Sequence, residues 1–185
     1  MKRIGLAQRR RTLAQRGIGF AEKGLEMTRV VDIADMIVSN NPDDVLVTYS
    51  LGSCIGVTLY DPNAGVGGMI HCMLPMSKID LAKAEAKPAM FVDAGMPKLL
   101  QAVFDLGAQR KNLICKVAGG ASLLDDRKMF RIGERNYTVL RKMLWKNEIL
   151  IKAEDVGGHI ARTVYLYMDT GKTTVKSNGT EVELA

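Results

Sequence analysis

Histidine and cysteine are scarce in this chain of 185 residues, which holds two of the first and three of the second. No Cys-x-x-Cys pair occurs, and His71 and Cys72 are neighbours that point to opposite faces if they lie on a strand. A zinc ribbon or finger is therefore excluded, and neither a metal nor a cofactor is expected. Three cysteines cannot all pair, so the chain is not a disulfide scaffold and reads as a protein of the reducing cytoplasm. No apolar run approaches the roughly 18 residues of a membrane span. The basic start lacks an apolar core and a cleavage site, so a secretory signal is not expected. Aromatic residues make up 5% of the chain and none interleaves with the basic ones, which argues against a base-stacking nucleic-acid surface.

What is present is an ordinary globular balance of 47% hydrophobic and 25% charged residues, enough for one domain with a sizeable core. The net charge of +6 is unevenly placed. Residues 1–29 carry eight Lys or Arg against two acids, and the remainder is balanced at 18 against 18. The sequence thus divides into a basic leader, 1–26, expected to be flexible and solvated, and a domain, 27–185. A tether to RNA, anionic lipid or an acidic partner is the sharper alternative for the leader.

Within the domain, β-branched and apolar segments predict strands at Thr28–Ile33, Asp35–Val38, Val45–Ser50, Ile55–Tyr60, Gly68–Leu74, Asn112–Val117, Ile149–Ala153, Arg162–Met168 and Thr173–Lys176. Asp169–Lys172 is expected to be the last hairpin turn, and Met76–Lys87 a loop. Pro88–Leu106 carries Val92, Met96, Leu99, Val103 and Leu106 at helical spacing, with Pro97 predicting a kink or a late start. A second helix, Gly133–Lys146, has Tyr137, Leu140, Leu144 and Trp145 as expected anchors. Strands dominate and do not alternate regularly with helices. The expected fold is a layered α/β sandwich of mainly antiparallel or mixed sheet with two main helices. Neither glycine cluster, Gly65–Gly68 nor Gly119-Gly120, has the lysine or helix start of a phosphate loop.

The most informative stretch is Thr48-Tyr49-Ser50-Leu51-Gly52-Ser53-Cys54, which sets a cysteine after a glycine at the mouth of a strand. Asp61-Pro62-Asn63-Ala64-Gly65 then turns the chain towards His71. If Tyr60 pairs with Gly67, Cys54 falls opposite Met73 and shares a face with His71, roughly 7–8 Å away at the backbone. A register shifted by one residue would separate them. A thiol and an imidazole so placed are the equipment for nucleophilic acyl transfer. Taken singly, each has a plainer reading: Cys54 as a small buried hydrophobe, His71 as a satisfied core histidine, Thr48 as an ordinary strand residue. Ser53 is the alternative nucleophile and His159 the alternative base.

These residues, together with Tyr60-Asp61-Pro62, Gly67-Gly68-Met69 and Met73-Leu74-Pro75, resemble the chemoreceptor glutamine deamidase family, CheD. Ala118-Gly119-Gly120-Ala121-Ser122, Ile132-Gly133-Glu134-Arg135-Asn136 and Asp169-Thr170-Gly171 extend the resemblance over about 28–180. The chain departs from the family pattern at Tyr49-Ser50, Val156 and His159. The resemblance implies a Cys-His-Thr triad of Cys54, His71 and Thr48, and a fold shared with glutamine-deamidating toxins. It also implies a substrate: glutamines on cytoplasmic helices of methyl-accepting chemoreceptors, hydrolysed to glutamate through a thioester. Some members are thought to hydrolyse glutamate methyl esters, and some bind a CheC-type phosphatase. An imidazolium is expected to lower the thiol pKa, with backbone N–H groups around Gly52, Ser53 and Cys54 holding the oxyanion. A non-enzymatic adaptor that binds receptors or the phosphatase is the rival reading.

Overall fold

The computed structural model describes residues 27–122 and 131–185. The leader, 1–26, lies outside the described residues. Among the described residues, ten strands form two five-stranded mixed sheets. In chain order they are β1 (Met27–Val30), β2 (Met36–Ser39), β3 (Asp44–Leu51), β4 (Ile55–Asp61), β5 (Val66–Cys72), β6 (Ile114–Gly119), β7 (Ile151–Val156), β8 (Arg162–Tyr167), β9 (Thr173–Ser177) and β10 (Thr180–Glu183). One sheet runs β1-β3-β8-β9-β10 and the other β2-β5-β4-β6-β7. Only β1/β3 and β6/β7 pair in parallel. Three described α-helices join them: a short α1 (Leu81–Ala86), α2 (Val92–Asp105) and α3 (Ile132–Lys146).

The period of two along β4 and β5 divides the core into two layers. Ile55, Val57, Leu59, Ile70 and Cys72 face α2 and α3 and pack with Met96, Leu99, Val103, Leu140 and Leu144. Tyr60 and Met69 point the other way, and meet Leu46, Leu51, Val164, Leu166 and Val175 of the facing sheet. The order of layers is therefore sheet, sheet, helices, which bears out the α/β sandwich with two main helices.

The β4–β5 hairpin has the register that places Cys54 on the favourable face: Tyr60 pairs with Gly67, Gly56 with His71 and Ile55 with Cys72. Its turn is fixed by Asp61, whose Oδ1 accepts from Asn63 N at 2.9 Å and Ala64 N at 3.2 Å, while Gly65 takes a φ of 64°. Burial alone would raise the Asp61 pKa. Donation from Gln109, Asn63 and Ala64 outweighs it and holds the carboxyl below its usual value.

Four sequence expectations need correction. The segment 76–87 is not all loop: Asp80 caps α1 by accepting from Lys83 N, although no residue of this helix is buried, so no apolar period marks it. The long helix begins at Val92, after a separate 3-10 turn at Pro88–Met90, and ends one residue before Leu106, which is exposed. A further hairpin follows the Asp169–Lys172 turn, because Asn178 and Gly179, at φ of 48° and 80°, form the tight turn that leads into β10. Trp145 is 80% exposed and anchors nothing, since the buried face of α3 is Gly133, Asn136, Leu140 and Leu144. No described helix is long and apolar enough to cross a membrane.

These burial differences set a contrast in stability. Leu166→Ala, which empties a site between the sheets, should cost about 2–5 kcal/mol, whereas Trp145→Ala should stay within about 0.5 kcal/mol of wild type. Guanidinium unfolding of the two variants measures both; equal losses would contradict the layer assignment.

Candidate active site

Thr48 lies on the inner face of β3, and His71 on the face of β5 turned towards it; both are fully buried. The Thr48 hydroxyl joins them across the gap between the sheets. Its oxygen stands 2.8 Å from His71 Nδ1 and 2.8 Å from the carbonyl oxygen of Val31. A hydroxyl has one hydrogen and a carbonyl none, so that hydrogen goes to Val31 and the threonine oxygen accepts from Nδ1–H. The imidazole is thereby fixed as the Nδ1–H tautomer, with its lone pair on Nε2. Nε2 is buried and has no protein partner. The backbone on either side of the ring is also held, by His71 N donating to Asp35 O at 3.0 Å and Ala34 N donating to His71 O at 3.1 Å.

Just past Thr48, β3 carries a bulge: Thr48 pairs with Val164 but Leu51 with Arg162. Ser50 takes a φ of 56°, and Tyr49 and Ser50 both point outward. The extra residue returns Leu51 to the core and swings the chain off the sheet into Gly52-Ser53-Cys54. A Cβ on Gly56, opposite His71, would stand 2.7 Å from Leu51 Cδ1, so a side chain there would make the buried Leu51 shift.

The Cys54 loop is tied down through three successive carbonyls. Ala121 N donates to Gly52 O at 2.8 Å, Asn136 Nδ2 to Ser53 O at 3.0 Å and Gly120 N to Cys54 O at 2.7 Å. Gly119, at a φ of 107°, passes so close that a Cβ would sit 2.4 Å from Cys54 O. In a trans peptide the next N–H points opposite to the carbonyl. The Ser53 and Cys54 N–H groups are therefore directed away from these tethers. Cys54 is a free, half-buried thiol packed against the layer that contains Leu51, Met69 and Ala118. Met69 is two residues from His71 on the same face of β5, so thiol and imidazole lie on the same side of the sheet.

Burial pushes the Cys54 thiol up, although a hydrogen bond from its own backbone N–H pulls it back in part. Burial likewise pushes His71 down to about 4, against the pull of the Asp32 carboxylate. Both shifts favour the uncharged forms at rest, a thiol and a neutral imidazole. Cys72 faces the helix layer and is fully buried; Cys115 is buried there too and pushed up to about 12. His159 lies at the surface, where its Nδ1 meets Ser122 O at 2.9 Å. Among the described residues no group of three or more His, Cys, Asp or Glu is placed to hold a metal ion. Asn136 escaped the sequence reading as a site residue, because only its full burial and its bond to the cysteine loop mark it.

An unpartnered imidazole nitrogen aligned by a hydroxyl, on one side of a sheet with a free thiol, defines a class of site suited to cysteine-dependent acyl transfer. Comparison with known proteins makes the assignment specific. Residues 73–177 match the family model CheD, described as CheD chemotactic sensory transduction. The chain is 55% identical over 150 residues to a probable chemoreceptor glutamine deamidase CheD 1 of Syntrophus aciditrophicus, covering 81% of this chain and 94% of that protein. It is 50% identical over 155 residues to a probable chemoreceptor glutamine deamidase CheD of Solibacter usitatus, covering 84% and 92%. Among solved structures, a Neisseria meningitidis protein of family model DUF152 overlaps loosely, with a TM-score of 0.43 and 9% identity over 82% of this chain and 67% of that one. The chain belongs to the CheD family.

Burial of a neutral imidazole has a consequence for stability. With its pKa near 4 when folded and 6.5 when unfolded, the His71 contribution is complete above about pH 6.5 and is lost as pH falls towards 4. Up to about 3 kcal/mol should disappear over that window. Denaturant unfolding at pH 7 and pH 4.5 should show a smaller loss for His71→Gln than for wild type; equal losses would contradict a buried neutral imidazole.

Proposed function

We propose that this protein is a protein-glutamine deamidase that converts glutamines on the cytoplasmic helices of methyl-accepting chemoreceptors to glutamates, with Cys54 as nucleophile. Membership of the CheD family supports the substrate. The observation that carries the chemistry is the Thr48–His71 hydrogen bond, which leaves the Nε2 lone pair bare on the side of the sheet that Cys54 occupies.

A primary amide is a poor electrophile and ammonia a poor leaving group, so a thiol divides the hydrolysis into two acyl transfers. His71 Nε2 takes the Cys54 proton as the sulfur attacks the glutamine Cδ, since the resting pair is uncharged. The negative charge that forms on the amide oxygen is met by the Ser53 and Cys54 N–H groups, and one such donor is worth about 3 kcal/mol elsewhere. The imidazolium then protonates the amide nitrogen, the C–N bond breaks and ammonia leaves a thioester. Water attacks that thioester, gives a proton to Nε2, and the C–S bond breaks to release glutamate and restore the thiol. Thr48 holds the ring in the productive tautomer throughout. Asp32, which draws the His71 pKa upward, favours the transient imidazolium. A glutamate methyl ester would enter the same thioester with methanol as leaving group. On this reading the chemistry belongs in the cytoplasm, where its receptor substrate presents those helices, and a CheC-type phosphatase is a second candidate partner.

Cys54→Ala should abolish ammonia release from a receptor fragment and the roughly one-dalton mass gain of amide to acid that acyl transfer to water produces. His71→Ala should do the same, while His159→Ala retains wild-type turnover. Thr48→Val, which keeps the shape and removes the hydroxyl, should lower kcat roughly tenfold or more. Mass spectrometry of the fragment before and after exposure reads all four; undiminished deamidation by Cys54→Ala would end the assignment.

A further inference from the structure

Asn136 sits in the second turn of α3 and is fully buried. Its Nδ2 donates at 3.0 Å to Ser53 O, one residue before Cys54, and at 3.0 Å to Met73 O, two residues after His71. The β4–β5 ladder ends at Ile55 and Cys72, so Cys54 and Met73 would be the next pair. They are not joined, because Met73 N has turned to Met90 O at 2.9 Å and Cys54 O to Gly120 N. The carboxamide enters where the ladder opens and takes the place of the missing rung.

The remaining Asn136 atom makes the arrangement informative. Oδ1 is buried and has no partner. Turning the amide over would aim that oxygen at two carbonyl oxygens, so the orientation is fixed by the neighbours. A buried acceptor without a protein partner is unfavourable, and an apolar side chain of similar size would fill the space without it. What leucine could not do is hold two carbonyls at a set separation.

We infer that Asn136 is a positioning residue, whose two hydrogen bonds set the placement of the Cys54 sulfur relative to the His71 imidazole across the open end of the β4–β5 ladder. It acts through Ser53 and Met73 and touches neither substrate nor reacting atoms. The inference rests on the deamidase reading above.

Asn136→Leu removes both donors at similar volume, and Asn136→Ser keeps one hydroxyl hydrogen. Asn136→Leu should remain folded and lower kcat for receptor deamidation roughly a hundredfold, the scale of a misplacement of about 1 Å, with KM changed less than about threefold. Asn136→Ser should fall between Asn136→Leu and wild type. Independently of any receptor, iodoacetamide labelling of Cys54 across pH, read by mass spectrometry, should follow a displaced rate profile in Asn136→Leu. A scaffolding residue would lower the melting temperature and leave that profile unmoved. Wild-type kcat in either folded variant, an unmoved profile, or failure of both variants to fold would overturn the inference. Cys54→Ala is the control: if it stays active the deamidase reading fails, whereas if it is inactive and Asn136→Leu is not, only the positioning role fails.

Discussion

The hydrogen bond from His71 Nδ1 to the Thr48 hydroxyl is the constraint around which the site is arranged. It crosses from one sheet to the other, so its length depends on the packing of the layer between them. Leu46, Leu51, Met69, Val164 and Leu166 set that separation. The Val31 carbonyl takes the only hydroxyl hydrogen, and through it the loop after β1 helps to decide which imidazole nitrogen carries a proton. A threonine cannot neutralise an imidazolium as a carboxylate can. It suits a site in which burial keeps the ring neutral at rest and, in the proposed reaction, the charge is transient.

Fixation of the cysteine follows a different logic. Cys54 lies beyond the end of β4, where ladder hydrogen bonds no longer hold the chain. The Gly119-Gly120 turn and the start of α3 take over by binding the carbonyls of Gly52, Ser53 and Cys54. The same tethers that stop the loop from moving also turn the Ser53 and Cys54 N–H groups outward. In the proposed reaction a single backbone arrangement therefore serves both nucleophile placement and charge stabilisation.

The hairpin was legible in the sequence because Asp61, Asn63 and Gly65 specify a turn, but its register was not, and the pairing of Tyr60 with Gly67 in the structure is what gives Cys54 and His71 one face. The two long helices were legible from their apolar stripes. Illegible were the features that depend on contacts distant in sequence. Asn136 reads as one polar residue in an amphipathic helix; its meaning comes from two carbonyls brought to it by β4 and β5. Trp145 reads as a core anchor by composition, yet the phase of α3, set by Asn136, Leu140 and Leu144, turns it to solvent. Burial was equally hidden from the sequence, and it acts on Cys54 and His71 in the same direction, towards the uncharged form.

The most direct test is nitrogen-15 NMR of the His71 ring in the folded protein near pH 7. A protonated Nδ1 and a bare Nε2 are predicted, with shifts that hold steady as the pH is lowered to about 5. A proton on Nε2, or an imidazolium already present at neutral pH, would contradict this.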